Sequence, residues 1–302
     1  MGLLDGKVII VTGAGRGVGR SHAHLLAAEG ASVVVNDLGG EWDGSGSDNR
    51  PAQEVVDEIE SGRGTASANY DDIADWEGGQ RLVNQAVETY GRLDGLICNA
   101  GFVRDRVIAN MTEDEWDDVI RVHLKGHFVP TRWAIAYWRE QFKETGEPVG
   151  GSIVMTSSEA GLYGNAGQTN YSAAKAGIAA LAITAAREVS RYGVTVNSIS
   201  PRARTRMTMN TFGEALNAKE GKFDVNDPDN VSPWIAYLCT DEAQHITGQN
   251  FVVGGDQVQL MEGWTRANRI RKGKDRYTVA ELVEASSELF GDRATAPKKF
   301  GG

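Results

Sequence analysis

A chain of 302 residues, 41% hydrophobic and 24% charged, can bury a full core as one large domain or two small ones. Its formal charge of -10 argues against a nucleic-acid partner, because phosphate backbones need a net positive face, so small molecules are expected instead. The two cysteines, Cys98 and Cys239, lie in apolar segments without the paired spacing of a zinc site or a disulfide framework, and read as reduced core residues with no metal.

The N-terminus runs into a strand-like stretch without the basic and apolar regions of a signal peptide. No apolar run approaches the roughly 20 residues that span a bilayer. A cytoplasmic protein with no membrane partner is expected.

Short β-branched runs at residues 7–12, 32–36, 65–69, 93–99, 152–156, 194–199 and 250–253 alternate with helix-length segments. Their nearly continuous apolar character suits strands covered on both faces, which predicts an α/β, Rossmann-like, doubly wound parallel sheet of seven strands. The first run ends in Thr12-Gly13-Ala-Gly-Arg16-Gly17-Val18-Gly19, opening a helix. Such a turn lets the backbone approach a pyrophosphate, whose charge rests on the helix N-terminus.

The second run closes at Asp37, where a carboxylate accepts hydrogen bonds from an adenosine ribose and repels a 2'-phosphate, which selects NAD as cofactor. Arg16 could pair with that phosphate, but Asp37 sits where the 2'-oxygen belongs and outweighs it. Residues 39–49, rich in glycine and turn formers, predict an extended surface loop. Asp72-Ile73 after the third run could bracket an adenine, and Asn99-Ala100-Gly101 closes the fourth with small residues. Both lie at the strand edge where open sheets bind ligands, and each alone could be an ordinary turn.

Thr112 and Glu115 form a capping-box pattern that opens a long helix toward Lys143. After the fifth run comes Ser157-Ser158, and then Tyr171 and Lys175, four apart and so on one helix face. Past Val253 the alternation ends. This predicts a dinucleotide-binding and catalytic domain over residues 1–255 and an extension over 256–302, packed on the domain or a neighbouring subunit, with one helix at 278–290.

A free phenol titrates near pH 10, and a nearby Lys175 ammonium is expected to favour the phenolate, making Tyr171 a base for alcohol oxidation. Ser158 can hold the substrate oxygen beside it. Tyr and Lys four apart also recur by chance. The pair gains its weight from Ser158 and the glycine turn.

Together with Cys98-Asn-Ala-Gly101 and Asn197 to Pro201, these motifs resemble the short-chain dehydrogenase/reductase family over about residues 5–255. The resemblance implies catalytic Ser158, Tyr171 and Lys175, with Lys175 also bonding the nicotinamide ribose. It places Pro201 and Ala203 at the cofactor and implies a homodimer or homotetramer. Three positions depart: Cys98 and Arg202 replace an Asn and a Gly, and His123 stands where the family has a catalytic Asn. His123 is either a support for a water leading to Lys175 or a satisfied interior histidine.

A narrower resemblance runs to the (3R)-hydroxyacyl-CoA dehydrogenase regions of peroxisomal multifunctional β-oxidation enzymes of type 2. It rests on Val35-Asn-Asp-Leu-Gly-Gly40, Ala68-Asn-Tyr-Asp71, Arg104-Asp-Arg106, Arg121-Val-His-Leu124, Gly161-Leu-Tyr-Gly-Asn165, Ser200-Pro-Arg-Ala203 and Arg206-Met-Thr208. It implies NAD-dependent oxidation of a (3R)-hydroxyacyl-CoA supplied by a separate enoyl-CoA hydratase, with residues 207–223 as a substrate lid. The chain ends Lys-Phe-Gly-Gly302, not in a peroxisomal Ser-Lys-Leu signal.

Arg266, Arg269, Arg271, Lys272, Lys274 and Arg276 form a basic cluster that suits CoA phosphates, although a solvated or subunit-facing charge run is the simpler account. The alternatives are a dehydrogenase of hydroxysteroids or other secondary alcohols, an NADPH-linked ketoacyl reductase, and a nucleotide-sensing protein without chemistry. The last has no use for Ser158, Tyr171 and Lys175.

Overall fold

Strand β1 (Val8–Thr12) shows how the core is divided. All five residues are buried; Ile9 and Val11 enter one apolar layer while Val8 and Ile10 enter the other, as alternating side chains of a doubly covered strand must. The structure, a computed structural model, describes residues 2–41, 43–212, 217–218, 221–293 and 296. From β1 the chain runs through α1 (Gly17–Ala28), β2 (Ser32–Asn36), α2 (Arg50–Ser61), β3 (Thr65–Asn69), α3 (Trp76–Tyr90) and β4 (Gly95–Cys98). There follow α4 (Glu113–Ile120), α5 (Gly126–Thr145), β5 (Ser152–Thr156), α6 (Glu159–Tyr163), α7 (Thr169–Val189) and β6 (Thr195–Pro201). Helices α8 (Arg206–Phe212) and α9 (Ser232–Leu238) lead to β7 (Asn250–Gly254) and β8 (Gln257–Met261).

The sheet order is β3-β2-β1-β4-β5-β6-β7-β8, parallel throughout except for the last pair. One apolar layer joins the sheet to α1, α2 and α9, and the other joins it to α3, α5 and α7. The doubly wound α/β class is therefore as expected.

The strand count needs correction, because β8 folds back antiparallel on β7 after Gly255 and Asp256, with Gly255 at φ +57°. Its period-two pattern, Gln257-Val-Gln-Leu-Met261, lacks the continuous apolar run of the buried strands. As an edge strand, β8 leaves Val258 and Leu260 exposed. The two-residue glycine turn was the available signal.

The chain divides into two compact units, Met1–Met261 and Glu262–Gly302. In the second, α10 (Val279–Phe290) starts at a capping box of Thr278 and Glu281, and Lys272 pairs with Glu281 at 2.6 Å. Arg266, Arg269, Arg271, Lys274 and Arg276 are exposed there.

Capping also opens α4: Glu115 N–H donates to the Thr112 hydroxyl at 3.2 Å, and Thr112 N–H donates back to the Glu115 carboxylate at 2.9 Å. The expected long helix is interrupted by one π-turn, Arg121–Lys125, before α5 continues to Thr145 and stops at left-handed Gly146. Among the described residues no helix is long and apolar enough to cross a membrane. Burial pushes both the Cys98 and Cys239 thiols up to about 12, so they are inert thiols at neutral pH.

Thr112→Ala should cost about 1 kcal/mol, the usual worth of an N-cap, read as a lowered urea midpoint. Buried His22 lies 2.8 Å from the Ser232 hydroxyl, and burial pushes its pKa down to about 3. Its folded value lies below the unfolded 6.5, so its contribution is intact above pH 6.5 and drains away as pH falls toward 3. The unfolding midpoint should fall across that window, and less steeply in His22→Gln.

Candidate active site

The glycine turn between β1 and α1 is held by close backbone approach. A Cβ on Gly13 would lie 2.6 Å from Ala100 Cα, and one on Gly19 would lie 2.1 Å from the Gly13 carbonyl oxygen. Gly17 differs: at φ +56° its added Cβ would meet nothing nearer than Thr205, at 3.6 Å. No side chain caps α1 and no acidic residue occupies its first turn, so its N-terminal N–H groups are not claimed by a side chain. That donor set suits a pyrophosphate. Val18 buries its side chain in the core, leaving its backbone N–H as what it can offer.

Asp37 follows β2 and accepts from Gly15 N–H at 2.8 Å and Gly39 N–H at 2.6 Å, which fixes the carboxylate against the turn. Arg16 faces Glu41 of the 39–49 loop at 3.9 Å, and Glu41 also pairs with Arg206 at 3.1 Å. Arg16 is thus opposed by a carboxylate of the chain itself.

Asn99 and Ala100 do more than close β4. Both backbone N–H groups donate to the Thr12 hydroxyl, at 2.9 and 3.2 Å, and the Asn99 side chain donates to the Thr12 and Gly13 carbonyls. Asp72 accepts from Ala74 N–H at 2.8 Å and pairs with Arg121, while Ile73 is buried in the core against Gly126. Pro201 ends β6, and Ala203 is buried beyond it.

Ser158, Tyr171, Lys175 and His123 come together at this same edge of the sheet. Ser158 is the N-cap of α6, accepting from Ala160 N–H at 3.2 Å, and its hydroxyl acts to lower the Tyr171 phenol. The Lys175 ammonium nitrogen lies 5.4 Å from the Tyr171 ring centre and donates to the Thr156 carbonyl at 2.6 Å. Ser157, beside Ser158, is buried and donates to the Lys175 carbonyl at 2.8 Å, so it ties β5 to α7.

The expected electrostatics are corrected. Burial pushes the Tyr171 phenol up to about 12, opposed by the Ser158 hydrogen bond. Burial also pushes Lys175 down to about 7, so the amine is largely neutral where the phenol titrates. Desolvation disfavours the charged form of both groups. In the protein alone the lysine therefore does not lower the tyrosine.

The π-turn places His123 in the interior, with its ring edge-on to Tyr171 at 5.1 Å and Nε2 at 2.6 Å from the Phe102 carbonyl. Burial and nearby Lys175 hold its pKa well below the ordinary value, so it is neutral. Its Nδ1 has no hydrogen-bond partner in the protein, as is true of both ring nitrogens of buried His127 and of the Thr156 hydroxyl. His123 is thus satisfied on one nitrogen only, a result between the two readings of its sequence.

Sequence reasoning missed what His123 demands of its neighbour. A Cβ on Gly101 would lie 2.1 Å from His123 Cε1, so this glycine makes room for the imidazole. It also missed Asn170, fully buried, which donates to the Arg104 carbonyl at 3.1 Å and the Glu115 carbonyl at 2.8 Å and so fixes the start of α7. No local pattern marks it. Within the expected lid at 207–223, residues 213–216 and 219–220 lie outside the described residues.

Residues 7–215 match the short chain dehydrogenase family. The chain is similar to the hydroxyacyl-CoA dehydrogenase ChsB1 of Mycobacterium tuberculosis, at 43% identity over 96% of this chain and 90% of that one. It is 38% identical to the peroxisomal multifunctional enzyme type 2 of Mus musculus over 97% of this chain, spanning 38% of that larger protein. Among solved structures it resembles a short chain dehydrogenase from Mycobacterium avium, with 48% identity, TM-score 0.86 and full coverage of both chains.

Gly101→Ala should destabilise the chain by roughly 1–3 kcal/mol, the usual cost of overpacking. In the double variant with His123→Ala much of that loss should return, because the clashing ring is gone. Additive losses in urea denaturation would refute the packing argument.

Proposed function

The chain belongs to the short-chain dehydrogenase family, an oxidoreductase family acting on CH–OH groups, and from that premise we propose that it oxidises a (3R)-hydroxyacyl-CoA to the 3-ketoacyl-CoA with NAD. The observation that carries the reading is the convergence of Ser158, Tyr171 and Lys175 at the same sheet edge as the glycine turn, in a chain similar to a hydroxyacyl-CoA dehydrogenase. The (3R) hand rests on the narrower resemblance in its motifs. A separate enoyl-CoA hydratase would supply the substrate.

The first-turn N–H groups of α1 suit the pyrophosphate of NAD, and Asp37 suits its adenosine ribose. Asp37 and Glu41 both disfavour a 2'-phosphate, Glu41 by opposing Arg16. When bound, the oxidised nicotinamide supplies the hydride acceptor and a positive charge. Ser158 holds the substrate oxygen, and Tyr171 takes its proton as the carbon gives up its hydride. Lys175, held by the Thr156 carbonyl, would bond the nicotinamide ribose.

A phenol raised to about 12 gives up its proton reluctantly, so oxidation should accelerate as pH rises from 6 to 9, while reduction of the ketoacyl ester, served by the phenol that stays protonated, should change little. Tyr171→Phe should keep NAD affinity yet lose about 10²–10⁴ in turnover. The deciding assay follows nicotinamide reduction with a (3R)-hydroxyacyl-CoA, its (3S) enantiomer and a 17β-hydroxysteroid, each with NAD or NADP. Preference for the (3R) thioester and NAD supports the proposal, and turnover of the free steroid alone overturns it.

A further inference from the structure

Helix α7 begins two residues before Tyr171, so the phenol rises from a first turn whose N–H groups have no acceptor within the helix. The N-cap residue, Gln168, does not supply one, because its amide donates instead to both oxygens of Asp105, at 3.1 and 2.9 Å. The cap comes from inside the helix. Asn170 Oδ1 accepts the Tyr171 N–H at 2.7 Å, a local bond of the kind that makes asparagine a poor choice for a helix interior.

The other end of the same amide reaches two different elements. Its nitrogen donates to the Arg104 carbonyl at 3.1 Å and to the Glu115 carbonyl at 2.8 Å. Fully buried, Asn170 thus engages both of its donors and its acceptor. A buried amide paired this way specifies one arrangement of the backbones around it.

Both carbonyl partners belong to chain segments that hold His123. Arg104 lies two residues beyond Phe102, whose carbonyl is 2.6 Å from His123 Nε2. Glu115 lies in α4, which runs directly into the π-turn carrying His123. The His123 ring in turn meets Tyr171 edge-on at 5.1 Å. Contacts therefore close into a ring, from Tyr171 through Asn170 to Arg104 and Phe102, on to His123 and back to the phenol.

We propose that Asn170 is a positioning residue for Tyr171, closing this ring and so fixing the phenol against the His123 imidazole. This rests on Tyr171 being the proton-transfer group.

Neighbouring bonds hold the same segment independently. Arg106 N–H donates to the Gly167 carbonyl at 2.7 Å, and Gln168 clamps Asp105. Those bonds do not involve Asn170, so its removal should loosen the first turn of α7 without opening the fold. Proton transfer needs the phenol within hydrogen-bond reach of the substrate oxygen, and a misplacement of about 1 Å can cost about 100-fold in rate.

Asn170→Ala should lower kcat about 10–100-fold while NADH affinity, read by nicotinamide fluorescence, stays within about twofold of wild type. Asn170→Ser, too short to reach both carbonyls, should lose kcat in the same way and serves where the alanine variant folds poorly. Because Asn170 acts through the contact with His123, the kcat loss caused by Asn170→Ala should shrink in a His123→Ala background, as coupled residues do not add. Without substrate or cofactor, amide hydrogen exchange in Asn170→Ala should quicken at Tyr171 and at Phe102. Wild-type kcat in both Asn170 variants, or an undiminished Asn170 loss in the His123→Ala background, overturns the proposal. Tyr171→Phe at wild-type rates would instead remove the proposed function; exchange still reports on the ring of contacts, and unchanged exchange at Phe102 in Asn170→Ala would show that Asn170 does not close it.

Discussion

The structure depends on how closely two strand ends approach each other at the point where the strand order reverses. From β1 the sheet grows one way through β2 and β3 and the other way through β4, so the carboxyl ends of β1 and β4 bound the crevice between them. The Thr12 hydroxyl accepts N–H groups from Asn99 and Ala100, and Asn99 reaches back to the carbonyls of Thr12 and Gly13. With the two backbones this close, a side chain at Gly13 has nowhere to go.

The same constraint continues one residue further to shape the chemical end of the site. Gly101 lies against the His123 imidazole, and that imidazole lies edge-on to Tyr171. A π-turn between α4 and α5 brings His123 there, in keeping with the tendency of such turns to occur at functional sites. The glycine turn and the His123–Tyr171 contact therefore share a wall, built from Asn99 to Gly101.

Inside that wall, desolvation governs the ionisable groups. Tyr171 and Lys175 are moved in opposite directions, both toward neutrality, and His123 and His127 are held neutral as well. A site arranged this way carries little charge of its own near the reacting atoms, so each charge introduced there has a large effect.

Much of this was legible in the sequence. The continuous apolar runs determined a sheet covered on both faces, since only a buried strand can carry side chains like Val8 to Val11 on both sides. Thr112 with Glu115 determined the start of a helix, and Tyr171 and Lys175 had to share a face, because both relations are local and follow from helix geometry. Strand β8 escaped notice because an exposed antiparallel edge need not be apolar, and its neighbour in space supplies its hydrogen bonds. Only the tertiary structure decided that Gly101 serves His123 and that burial pushes the phenol up. Close approach and desolvation depend on what residues distant in the chain place around a group, and no spacing along the chain encodes that.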